Sequence, residues 1–185
     1  MRNVKQLGLV LVAVSAFCAM TAASAVAHPE FLASAIKAQL TGKATQTQKF
    51  NTDFGAVECT ALTVSGETAA LRSTQQAVTV NYKSCKAFGL AATVSPASYL
   101  FLSLGSVHIL STILISSLEC HLRVLPQTVS NILYTNLGPE ILITPDVSGI
   151  AYEGTGPTCS GSNKNGTYQG KSLLISPGNT LAWMA

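Results

Sequence analysis

The stretch from Tyr99 to Val124, YLFLSLGSVHILSTILISSLECHLRV, limits what this chain can fold into more than any other. Its first part, Tyr99 to Leu118, holds no Asp, Glu, Lys or Arg. That matches the roughly 20 apolar residues of a membrane-spanning helix. Consecutive buried strands are the other solution, and the polar residues decide between the two. Ser103, Gly105-Ser106, Ser111-Thr112 and Ser116-Ser117 cut the run into pieces of strand length: Tyr99–Leu104, Val107–Leu110, Ile113–Ile115 and Leu118–Val124. In the last piece Leu118, Cys120, Leu122 and Val124 alternate with Glu119, His121 and Arg123. Only a period-two element puts those two sets on opposite faces. A span would also leave Cys120 and Cys159 across the membrane from Cys59 and Cys85. The reading adopted is a set of strands, with no membrane span in the mature chain.

The N-terminus assigns those strands to a compartment. Arg2 and Lys5 precede an uncharged apolar run, Leu7–Met20, and Ala23-Ser24-Ala25 and Ala25-Val26-Ala27 both fit the small-x-small cleavage pattern of a secretory leader. Residues 1–27 are read as a cleaved signal peptide, residues 28–53 as an N-terminal strand and polar loop, and residues 54–185 as the remainder of one domain. The protein is then secreted, with the cell envelope as a place of work. The formal charge of +3 includes Arg2 and Lys5, so the mature chain is close to neutral. No Lys/Arg cluster remains to bind a nucleic-acid backbone. Only 10% of the residues are charged, which leaves Ser, Thr, Asn, Gln and Gly to cover much of the surface.

Cleavage removes Cys18 and leaves Cys59, Cys85, Cys120 and Cys159. Four cysteines in an exported chain read as two disulfides, with three pairings open, and no spacing is the Cys-x-x-Cys of a zinc or redox site. The sequence does not choose among the pairings. The sequential one, Cys59–Cys85 with Cys120–Cys159, is preferred.

Elsewhere the chain alternates in short runs. Ala35–Thr41, Val57–Val64, Ala77–Lys83, Leu90–Val94, Asn131–Tyr134, Ile141–Thr144, Gly149–Tyr152 and Tyr168–Ser176 read as strands. Gly42–Gln48, Ser65-Gly66, Asn136–Pro139, Pro145–Gly149, residues 154–165 and Asn165-Gly166 read as loops or turns. No long segment has a 3.6-residue period, so the fold class is all-β. A disulfide-stabilised antiparallel β-sandwich is the first choice and a barrel the second.

Five stretches carry a resemblance: FGAVECTA (54–61), VNYKSCKAFGLAATVSP (80–96), CHLRVLPQ (120–127), GIAYEGTGPTC (149–159) and NGTYQGKSLL (165–174). Across about residues 50–176 the chain resembles a family of uncharacterised secreted bacterial β-rich proteins with paired cysteines. The resemblance implies an exported, disulfide-bonded β domain and brings no established activity. The final NGTYQG strand is also generically similar to the last strand of pilin-like and coat-type subunits.

Chemistry is sparse. Glu30, Asp53, Glu58, Glu67, Glu119, Glu140, Asp146 and Glu153 are scattered, and no Gly-x-Ser-x-Gly elbow, phosphate loop or His-Glu-x-x-His motif occurs. The expectation is a non-enzymatic protein without a cofactor, acting by binding or as an envelope component, with an edge-to-edge assembling subunit as another option. One sharper alternative rests on histidines. Cleavage after Ala27 frees the amine of His28, which with His108 or His121 could form a copper-binding brace like that of polysaccharide monooxygenases, nitrogen ligands suiting Cu(II). Glu119 and His121 would share one strand face. Tyr82, Tyr99, Tyr134, Tyr152 and Tyr168 are expected to be half-buried sheet residues. N-terminal sequencing of the secreted protein is expected to begin at His28; a start at Val26 would remove the brace.

Overall fold

A computed structural model describes residues 28–185, so the proposed leader lies outside the described residues. In chain order the strands are β1 (Glu30–Ala33), β2 (Gln39–Thr52), β3 (Gly55–Glu67), β4 (Arg72–Ser73), β5 (Gln75–Ala87), β6 (Leu90–Val94), β7 (Ala97–Leu102), β8 (Ser106–Ile109), β9 (Ile113–Ser116), β10 (His121–Val124), β11 (Gln127–Ser130), β12 (Ile132–Leu137), β13 (Glu140–Thr155), β14 (Gly161–Ile175) and β15 (Leu181–Met184). There is no helix among the described residues, as the hydrophobic period requires.

The strands close into a barrel, the second of the two forms expected, and not a sandwich. Five long strands, β13–β14–β2–β3–β5, make a continuous antiparallel wall. The rest of the circle is built from short strands laid end to end. β6 pairs with the C-terminal half of β5 and β7 with its N-terminal half, so β6 and β7 are one stave broken at Ser95-Pro96. β8 and β9 form the next stave, pairing with β7 and β6 respectively. β10, β11 and β12 form another, pairing with β9, β8 and β13. β10 and β12 both dock on β13, which completes an eight-stave meander.

The breaks are patched by hydrogen bonds in place of ladder. Ser95 N donates to Leu114 O at 2.8 Å and Leu110 N to Ser98 O at 2.9 Å. At Pro126, which has no N–H to give, the Gln127 amide bridges to β13: its Nε2 donates to Ala151 O at 2.9 Å and its Oε1 accepts from Ala151 N at 2.8 Å. At Asn131, whose φ is 74°, Nδ2 donates to Asp146 O at 2.6 Å.

Several expected boundaries move for this reason. Gly42–Gln48 is not a loop but the middle of β2, because ladders on both sides hold its polar residues extended. Ser65-Gly66 lies in β3 and Asn165-Gly166 in β14. Pro145–Gly149 is an irregularity inside β13, with a register shift after Val147 and Gly149 at φ 75°, so ILIT and GIAY belong to one strand. Conversely, Ala35–Lys37 is a turn and the strand begins at Gln39. Leu118, 85% exposed, stands outside the alternation it opened, since Ser117 N→Cys120 O closes a turn and β10 begins only at His121.

A small sheet, β15–β1–β4, covers one end of the barrel. Under it Phe31 meets Tyr134 edge-on at 5.0 Å, and Trp183 stacks beside Tyr134 at 5.8 Å while its indole N–H donates to Ser103 O. At the opposite end Tyr152 sits between Phe50 and Phe54, at 5.8 and 6.0 Å, with Phe54 over Gly154, where any Cβ would lie 2.6 Å from the ring.

Both disulfides have the sequential pairing. Cys59 and Cys85 face each other across β3 and β5, and Cys120–Cys159 ties the turn before β10 to the β13–β14 connection. Such bonds belong to oxidising surroundings. Replacing Cys120 and Cys159 together by Ser frees a 39-residue loop and removes about 4 kcal/mol. At this chain length a calorimetric Tm lower by about 10 °C is expected.

Candidate functional site

Inward-facing side chains of the barrel are apolar on every stave: Val57 and Leu62 on β3, Val78 and Val80 on β5, Val107 and Ile109 on β8, Ile113 and Ile115 on β9. They do not fill the space they enclose. A cavity of about 120 Å³ runs between the two aromatic ends. That is of the order of an engineered apolar cavity of about 150 Å³ that stays dry and takes up benzene. Among the described residues, no Lys, Arg, His, Asp or Glu lines it.

Its one concentrated polar feature is a cluster of Tyr82, Tyr99, Tyr168 and Gln48. Tyr82 Oη lies 2.8 Å from Tyr99 Oη and 3.3 Å from Tyr168 Oη. Tyr168 donates to Gln48 Oε1 at 2.6 Å, and Gln48 Nε2 donates to Gln46 O at 2.7 Å and Lys171 O at 2.9 Å. Four strands converge here: Gln48 comes from β2, Tyr82 from β5, Tyr99 from β7 and Tyr168 from β14. Gly170 makes room for the Gln48 amide, since a Cβ there would stand 2.4 Å from Oε1. Every buried side-chain nitrogen and oxygen among the described residues has a hydrogen-bond partner.

Burial is the largest influence on these phenols and raises all three pKa values. For Tyr82 the contacts with the Tyr168 and Tyr99 hydroxyls offset part of the rise. Tyr99 and Tyr168 stand well above the ordinary range, because burial is reinforced by repulsion from neighbouring phenolates should they form. Surface exposure makes these residues only half-buried, but they line the cavity, so much of their open surface is cavity wall. All three stay neutral phenols in the folded protein at ordinary pH.

Alternation along the sequence assigns the tyrosines to core packing and does not show the cluster. Part of the signal was available. Val78, Val80 and Tyr82 share a face, and Tyr168 lies between Gly166 and Gly170 on one side of β14. Gln48, within a stretch read as a loop, gave none.

The histidines lie apart from the cavity. His28 borders a shallow hollow beside Leu102–Leu104 at the capped end. His108 sits on the outer face of β8, its Nδ1 2.6 Å from Thr128 Oγ1. His121 opens β10 at the opposite end, across from Ser116 and Thr155. The structure therefore does not bring His28 and His121 together, and no group of three His, Cys, Asp or Glu side chains gathers to hold a metal among the described residues. Glu119 is in the turn before β10, so it does not share a strand face with His121. Asp53, at the end opposite the cap, accepts from Asn163 and Asn165, and Asn165 Oδ1 accepts from Tyr152.

A group whose folded pKa is raised holds its proton more tightly folded than unfolded. Its contribution is fully present below the unfolded value near 10 and is lost as pH rises above it. Ultraviolet titration is therefore expected to show Tyr82, Tyr99, Tyr134 and Tyr168 still protonated above pH 10, with their ionisation coinciding with unfolding. No protein-family model, no curated protein and no solved structure matches this chain.

Proposed function

We infer that this protein is a secreted, non-enzymatic binding protein that holds one small apolar molecule inside its barrel. The observation that carries this reading is the unfilled apolar cavity with one fixed polar cluster in its wall. Ligand sites are typically concave and mostly apolar, with few convergent polar groups, and closed eight-stranded barrels are wide enough for one small ligand.

Three further features support it. Charged residues such as Lys49, Glu58, Arg123 and Glu153 stand on the outer surface, where they form exposed ion pairs, while the interior is apolar. A membrane-spanning barrel has the reverse pattern, with an apolar band outside. Secretion is supported by the leader sequence and by two disulfides. Closure pairs both edges of the long staves, so among the described residues strand-by-strand assembly has only short templates with a single ladder partner, β4 and β15 in the cap and β11 and β12 in the wall.

Toluene titrated into the protein is expected to bind at one site with a negative heat-capacity change, the mark of apolar burial. Val107→Phe places a ring in the cavity. It is expected to abolish that binding with a stability loss of no more than about 3 kcal/mol by chemical denaturation. Unchanged toluene affinity in the folded variant would exclude the barrel interior as the site.

A further inference from the structure

The protons of the polar cluster can be placed by elimination. Both Gln48 amide protons are used on Gln46 O and Lys171 O, which fixes the amide and turns Oε1 toward Tyr168. A phenol has one proton, so Tyr168 spends its own on Gln48 and can only accept from Tyr82. Tyr82 then has none left for Tyr99, and the 2.8 Å contact between them must be filled by the Tyr99 proton. The relay runs in one sense: Tyr99 to Tyr82 to Tyr168 to Gln48 to the backbone. The reverse sense at Tyr82 would strand the Tyr99 proton and leave none between Tyr82 and Tyr168, one hydrogen bond fewer.

Run this way, the cluster has no spare donor. What it offers the cavity is lone pairs, and Tyr99, which accepts from no member of the cluster and already donates along a chain, offers the most. Among the described residues, Ser172 is the only other one lining the cavity with a hydrogen-bonding side-chain proton. A ligand hydroxyl adds a bond to Tyr99 without breaking one, whereas a ketone gets no proton from the cluster unless the relay reverses. A carboxylate would meet three neutral phenols and no cation, and burying an unpaired charge is costly.

We propose that the barrel selects neutral apolar alcohols or phenols, about the size of a six-membered ring, by donation of the ligand hydroxyl to Tyr99 Oη. This deepens the binding reading above and rests on it.

Three molecules of one size separate the two: cyclohexanol, cyclohexanone and methylcyclohexane, titrated into the wild-type protein by calorimetry. Cyclohexanol is expected to bind tighter than either of the others by about five- to tenfold, the factor one buried hydrogen bond supplies. Tyr99→Phe is expected to erase that advantage and leave methylcyclohexane binding in place, while Ser172→Ala keeps it. Cyclohexanone binding as tightly as cyclohexanol, or methylcyclohexane doing so, would overturn the hydroxyl selectivity and leave the cavity reading standing. Failure of all three to bind would overturn the cavity reading itself, and the selectivity with it. If Tyr99→Phe does not fold, the wild-type ranking alone decides.

Discussion

The hydrogen-bonded ladder between β2 and β14 is the constraint on which the rest of this structure depends. It joins the first long stave to the last, with Thr41 opposite Ile175 and Asn51 opposite Thr167. Without it the meander would be an open sheet with two unpaired edges and a bare apolar face, a template for aggregation. With it, every inward residue faces another wall. Leu40, Leu122 and Ile141 become nearly inaccessible to solvent. Burial of a large aliphatic side chain contributes roughly 1.5–3 kcal/mol. The two disulfides lie at or near one end of this closed wall, and the cap sheet covers the other.

Closure also sets the terms for the polar cluster. Three phenols and an amide brought into an apolar interior must satisfy one another, because an unpaired buried polar group costs about 1–3 kcal/mol. Gln48 is where that demand is met. Its amide reaches two backbone carbonyls at the β2–β14 register shift, so the irregularity that breaks the ladder supplies the acceptors that orient the network. The cavity thus combines apolar walls with one polar point whose hydrogen bonds are met within the cluster.

What could be read along the chain followed from local alternation. Val78–Tyr82 and Leu90–Val94 were legible because their faces differ sharply in polarity. The β2 segment Gly42–Gln48 was not, because its inward residues are Gly42, Ala44 and Gln48, too small or too polar to mark a buried face. Pro145 and Gly149 mislead for the opposite reason: they have turn chemistry, and a strand of 16 residues accommodates them as an irregularity. The candidate site is largely hidden, since its members come from four strands and only Tyr82 and Tyr168 have a facing that the sequence displays.

The sequence by itself determined that this chain is all-β, that its central apolar run is strands and not a span, and that four cysteines pair. Those properties rest on local period and on the redox chemistry of exported chains. Only the tertiary structure decided that the sheet closes into a barrel, that sequential pairing is the one used, and that Tyr82, Tyr99, Tyr168 and Gln48 meet. The reason is physical. Alternation says which face a residue takes, but closure depends on how long strands twist and which distant edges find each other, and a meeting of four strands exists only after they do.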